Sequence, residues 1–131
     1  MPRLLHYSDI ENVYDDPERV GRLAGCVQAL DGPDAVVCGT GDNTAPGVLA
    51  LVERGRQALD FFAAVDADAD TFGNHDFDFS PTETRAIVAD SPASQTWVSA
   101  NVRDEEGDAV GADEGVVPWT TVETDDGPVG L

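Results

Sequence analysis

Three short polar segments recur along the chain, each directly after a short apolar run: Ser8-Asp9-Ile10-Glu11, Gly39-Thr40-Gly41-Asp42-Asn43 and Gly73-Asn74-His75-Asp76-Phe77-Asp78. Asp9, Asp42 and Asn74 follow one another at intervals of about 30 residues, the length of one strand, a crossover helix and the return to the next strand. A chain with that rhythm brings the ends of successive parallel strands to one edge of one sheet, the edge where loops bind metals and phosphates. Oxygen and imidazole donors gathered there suit divalent cations with open coordination positions; three ordinary Asp, Asn and Gly turns are the plain alternative.

The intervening segments carry the periods such a fold needs. Arg3 to Ser8 reads as a first strand, with Leu4 and His6 on one face, His6 turned to the sheet interior, and Leu5 and Tyr7 on the other. Asp16-Pro17 opens a helix in which Val20, Leu23, Ala24, Val27 and Leu30 recur at helical spacing. Ala35 to Cys38 is a continuous apolar run, as expected of a strand buried on both faces. A single helix is expected over Val48 to Ala64, a short strand over Ala69 to Phe72, and a helix from Ser80-Pro81-Thr82-Glu83 to about Ala89. Thr96 to Ala100 and Val116 to Val122 read as strands, and Pro128 to Leu131 as the opening of another. Residues from about 103 to 115 are acidic and rich in glycine, an exposed hairpin or mobile loop. The reading is α/β with a βαβαβ start, in one domain over residues 1–131.

Charge narrows the setting. Against 26 Asp plus Glu stand 7 basic residues, all arginine, for a formal net charge of −19. With 41% apolar residues the content is that of a globular domain, which argues against a disordered acidic chain. Acidic residues spread from end to end, with no lysine, fit a surface adapted to molar salt, where charges are screened to about 3 Å. Such a surface repels nucleic-acid backbones, so nucleic acid is disfavoured as a partner. Neither a signal-peptide pattern nor an apolar run of about 18 residues is present, so no membrane partner and a cytoplasmic location are expected. Cys26 and Cys38 form no metal-type pair and are expected to be buried free thiols. Trp97 and Trp119 are expected to pack in the interior.

With Asp9 and Asp42 upstream of Gly73-Asn74-His75-Asp76, the chain resembles the calcineurin-like metallophosphoesterases, whose N-terminal pattern is D-x-H, then G-D-x-x, then G-N-H-[DE]. His75-Asp76-Phe77-Asp78, together with His6-Tyr7-Ser8-Asp9, looks most like the branch of 5'-nucleotidases, UDP-sugar hydrolases and 2',3'-cyclic phosphodiesterases. The resemblance implies a metallophosphoesterase-type sheet, incomplete relative to the four-layer α/β/β/α domain of that family. It further implies two divalent metal ions (Mn, Zn, Mg or Fe), with Asp9, Glu11, Asp42 and Asn74 as metal ligands and Asn74 and His75 touching a nucleotide or other small phosphate ester. His75 would be the catalytic histidine, with Asp78 holding its imidazole; Asp76 is expected in solvent or behind the ligands.

The sequence departs from that pattern in two places. Glu11 stands where the pattern has histidine, a harder donor that suits manganese or magnesium better than zinc. The downstream G-H-x-H ligands are absent, since His6 and His75 are the only histidines, so the chain is read as the N-terminal portion of a longer protein and as inactive alone. Two further functions compete: a catalytically silent α/β regulatory or interaction module, and a DNA nuclease of the same fold. The oligomeric state is not legible in the sequence.

Overall fold

The computed structural model describes residues 1–131. Four parallel strands lie in the order of the sequence, β1 (Arg3–Tyr7), β2 (Ala35–Gly39), β3 (Ala69–Asp70) and β4 (Thr96–Trp97). In register, Leu4 faces Val36, His6 faces Cys38, Cys38 faces Ala69 and Asp70 faces Trp97. The central strand β3, at two residues, is short for a physical reason. Asp68 turns its carboxylate onto the Val37 N–H at 2.8 Å, so a side chain replaces one rung of the ladder beside β3.

Four helices connect and cover the sheet. α1 (Pro17–Leu30) starts where Asp16 accepts from the Glu18 and Arg19 amides at 3.0 and 3.1 Å, with Pro17 at the first helical position. α4 (Pro81–Asp90) starts the same way, Ser80 Oγ accepting from the Glu83 amide at 3.1 Å. The helix expected over Val48 to Ala64 is two helices, α2 (Val48–Glu53) and α3 (Ala58–Val65). Arg54 and Gly55 take positive φ and end the first; a Cβ on Gly55 would lie 2.9 Å from Ile87 Cδ1, so glycine is needed there. The break divides the apolar residues: Phe61, Phe62 and Val65 are buried, whereas Val48, Leu51 and Val52 remain about 70% exposed.

The core lies between the helices and one face of the sheet, built on Tyr7, Val37, Phe61, Phe62, Ile87, Val88 and Trp97. Tyr7 meets Phe61 edge-on at 5.3 Å and Phe72 stacks on Trp97 at 5.0 Å between ring centres. β2 is buried at both Val36 and Val37, as a doubly covered strand should be. β1 is not: Leu4 is 57% exposed and His6 is exposed, hydrogen-bonded to Thr40 Oγ1 at 2.6 Å. The expectation of an interior His6 therefore fails, because no helix covers that face of the edge strand. Cys26 is exposed and Cys38 half-buried, so neither is the interior thiol expected; both are free. Trp119, at 68% exposure, packs far less than Trp97.

Residues 103–115 form a hairpin closed by the Arg103–Ala109 bridge and a 3-10 turn at Ala112–Glu114, with Val110 buried. The strand expected from Val116 makes one parallel bridge, Val117 to Val98, and stops at Pro118, which has no N–H to donate. An antiparallel pair, β5 (Thr121–Thr124) and β6 (Gly127–Gly130), follows and ties back through the Asp125 N–H to Pro33 O at 2.8 Å. No helix is long and apolar enough to cross a membrane.

Candidate metal and phosphate site

The loops that leave β1, β2 and β3 meet at one edge of the sheet. Contact between them is made by backbone. The Asp9 N–H donates to Gly41 O at 3.2 Å, and the Glu11 N–H to Asp42 O at 3.4 Å. A Cβ on Gly41 would collide with the Gly73 backbone, and one on Gly73 would collide with the Asp42 carboxylate. The two glycines of Gly41-Asp42 and Gly73-Asn74 thus let the second and third loops touch, with Gly41 also at φ 95°.

Asp9, Glu11 and Asp42 sit at φ 52°, 45° and 55°. An aspartate tolerates this left-handed region at modest cost, whereas glutamate visits it rarely, so three such residues on two adjoining loops are a concentration of strain of the kind found at functional sites. Asp42 is half-buried and its Oδ1 accepts the His75 N–H at 2.7 Å, which joins the second loop to the third. Ser8 Oγ donates to the Asp9 carboxylate. Asn74 is exposed at the start of a 3-10 turn, His75–Phe77.

His75 is oriented from behind. Its Nδ1 lies 2.9 Å from Asp78 Oδ2, which leaves Nε2 as the free ring nitrogen. The hydrogen bond to Asp78 raises the imidazole above its usual value; the Asp78, Asp42 and Glu11 charges add to this, against partial desolvation. His75 is therefore held near the Asp42 and Glu11 carboxylates in a form biased toward carrying a proton.

Sequence reasoning left Asp76 between solvent and a place behind the ligands, and missed the other residues that hold these loops. Asp76 is 4% exposed, not in solvent, and is an acceptor for four donors: Asp42 N–H and Gly73 N–H at 2.8 Å each, Thr44 N–H at 3.1 Å and Thr44 Oγ1 at 2.7 Å. Burial nevertheless pushes its carboxyl above the usual range. Asp70, Asn43 and Thr44 are buried beneath the same loops. The one signal for Asp70 was a charged residue inside a short apolar strand, which the abundance of acidic residues concealed. Beside Thr40 a cleft of about 330 Å³, lined in part by Thr71, Ser99 and Asn101, opens at the same edge, a size in the range of small-ligand pockets.

The donor chemistry fits divalent cations: three carboxylates and an amide oxygen, with an imidazole adjacent. No three His, Cys, Asp or Glu side chains converge at ligating distance, so these residues form an open, partial donor set.

Among solved structures, the NAD nucleotidase NadN of Haemophilus influenzae superposes with a TM-score of 0.78 at 16% identity, over 98% of this chain and 25% of that one. A 5'-nucleotidase precursor from Thermus thermophilus gives 0.75 at 21% identity, over 98% and 27%. The calcineurin-like phosphoesterase YfkN of Bacillus subtilis gives 0.69 at 18% identity, over 98% and 45%. The chain has a calcineurin-like phosphoesterase fold. It spans between a quarter and a half of the length of these structures. No protein-family model and no curated protein matches the sequence.

Proposed function

We propose that this chain supplies part of the active site of a metal-dependent phosphohydrolase that acts on nucleotide phosphomonoesters or cyclic phosphodiesters. The observation that carries the reading is the convergence of three strand-end loops in which Asp42 accepts the His75 amide while Asp78 orients the His75 ring. Asp9, Glu11, Asp42 and Asn74 are the residues that would hold two divalent cations. Bound there, such ions neutralise phosphoryl charge and lower the pKa of the attacking water. Manganese or magnesium suits Glu11 and the other oxygen donors better than zinc.

His75 acts on the substrate. With Nδ1 committed to Asp78, Nε2 carries the proton toward the phosphoryl group or the leaving oxygen, and the hydrogen bond to Asp78, helped by the neighbouring carboxylates, favours the protonated ring. Asn74, exposed beside it, offers an amide to a metal or a phosphate oxygen. The partial donor set leaves this chain by itself without appreciable turnover.

Kinetics and metal content separate the roles in a longer form of the protein that turns over a chromogenic phosphate ester with Mn²⁺ in molar salt. His75→Ala lowers kcat by about 10² to 10⁴ with bound metal retained, whereas Asp42→Ala loses metal. Metal loss in His75→Ala with metal kept in Asp42→Ala overturns the assignment, and turnover by the present chain alone overturns the partial-site reading.

A further inference from the structure

Beneath the candidate site lies a carboxylate that the proposed chemistry does not use. Asp70, 1% exposed at the end of β3, accepts from Thr71 N–H at 2.8 Å, Tyr7 Oη at 3.1 Å and Asn43 Nδ2 at 3.1 and 3.2 Å. Space for it exists because residue 39 is glycine; a Cβ there would overlap the carboxylate. A buried carboxylate is costly to desolvate, so packing alone does not account for an aspartate here.

What the acceptor does is fix an amide. Asn43, also 1% exposed, directs Nδ2 at Asp70, which turns its Oδ1 to the Ile10 N–H at 3.5 Å; its own carbonyl accepts from Tyr14 Oη at 2.7 Å. Ile10 lies between Asp9 and Glu11, and Asn43 directly follows Asp42. One side-chain amide therefore spans the two loops whose three acidic residues are held at positive φ. Without an acceptor at position 70 the amide has no reason to keep that orientation, and the Ile10 N–H loses its partner.

We propose that Asp70 is a positioning residue that, through the Asn43 amide, fixes the backbone carrying Asp9, Glu11 and Asp42. The role rests on the reading of those residues as metal ligands only for its consequence, not for the coupling itself. The acceptor matters, not the charge. In Asp70→Asn the amide oxygen keeps Thr71 and Asn43, and the new NH₂ donates to Tyr7 Oη, so the brace survives.

Amide hydrogen exchange in molar potassium chloride, followed by Mn²⁺ titration of the same samples, tests this on the chain as it stands. Asp70→Leu and Asn43→Leu each speed exchange at Ile10 and Glu11 about tenfold beyond any change at Val36 and Cys38 in β2. The double variant is no faster than either single, Asp70→Asn exchanges as wild type, and Tyr7→Phe leaves Ile10 no faster than β2. Uniform acceleration across loops and sheet, or an Asp70→Asn as disruptive as Asp70→Leu, overturns the proposal. Should Asp70→Leu not fold, Asn43→Leu carries the test, and unchanged Ile10 exchange in it overturns the brace. Mn²⁺ affinity falls in the leucine variants and not in Asp70→Asn; equal affinities alongside the exchange response leave the brace supported and refute the ligand assignment of Asp9 and Asp42.

Discussion

Replacing Asp76 tests whether the candidate site is held by one buried acceptor. In Asp76→Ala, the Asp42, Gly73 and Thr44 N–H groups and the Thr44 hydroxyl lose their common partner, with Thr44 buried and Asp42 and Gly73 half-buried. Each orphaned buried donor costs about 1–3 kcal/mol before relaxation. Removing a buried carboxylate also relieves its desolvation, the cause that pushes its titration upward, and this offsets part of the loss. The net loss expected is about 4 kcal/mol, in line with other broken buried networks. Asp76→Asn is milder: the amide oxygen keeps Asp42 and Gly73, the Thr44 hydroxyl reverses to accept from the new NH₂, and only the Thr44 N–H is stranded, for about 2 kcal/mol. At roughly 3 °C per kcal/mol for a domain of this size, Tm falls by about 12 °C and about 6 °C respectively. Thermal melts by circular dichroism in molar potassium chloride give the numbers, with exposed Asp78→Asn as a control that changes Tm little. An Asp76→Ala that melts with wild type, or an Asp76→Asn as damaging as Asp76→Ala, refutes the view that four donors converge on this carboxylate.

The remaining expectations concern protons and salt. His75, raised by Asp78, titrates above 6.5 in an NMR pH series, and Asp78→Asn brings it down toward that value; the stabilisation of the pair is present below 6.5 and is lost as pH rises through the folded value, so an unshifted wild-type histidine removes the interaction. Burial pushes Asp70 up to about 7, with opposing help from its hydrogen bonds to Thr71, Asn43 and Tyr7. A carboxyl raised on folding favours the folded state most at low pH, so this residue's contribution declines between about pH 4 and pH 7, by on the order of 3 kcal/mol. Denaturant melts across that window should show a smaller decline for Asp70→Asn than for wild type, and parallel curves contradict it. Finally, a net charge of −19 implies that helicity and Tm rise from dilute buffer to molar potassium chloride; a Tm that is flat or falls with salt removes the salt-adaptation reading.

The sequence by itself determined the order of strands and helices, because period, caps and turn residues are local. Asp16-Pro17 and Ser80-Pro81 mark helix starts where helices start, and the strand-end loops fall at Asp9, Asp42 and Asn74 as their spacing requires. The pairing of His75 with Asp78 is implied by the family resemblance of the His75-Asp76-Phe77-Asp78 segment and not by period or caps; in the fold the two side chains lie 2.9 Å apart. Long-range facts were not legible. Helical spacing over Val48 to Ala64 does not show that Gly55 must bend away from Ile87, and alternation in β1 does not show which face a helix covers, so the pattern points His6 inward whereas the fold leaves it exposed. In a chain with 26 acidic residues, composition cannot distinguish a solvated aspartate from Asp70 or Asp76. Their role depends on donors that arrive from up to 63 positions away, and only the folded backbone brings those donors to them.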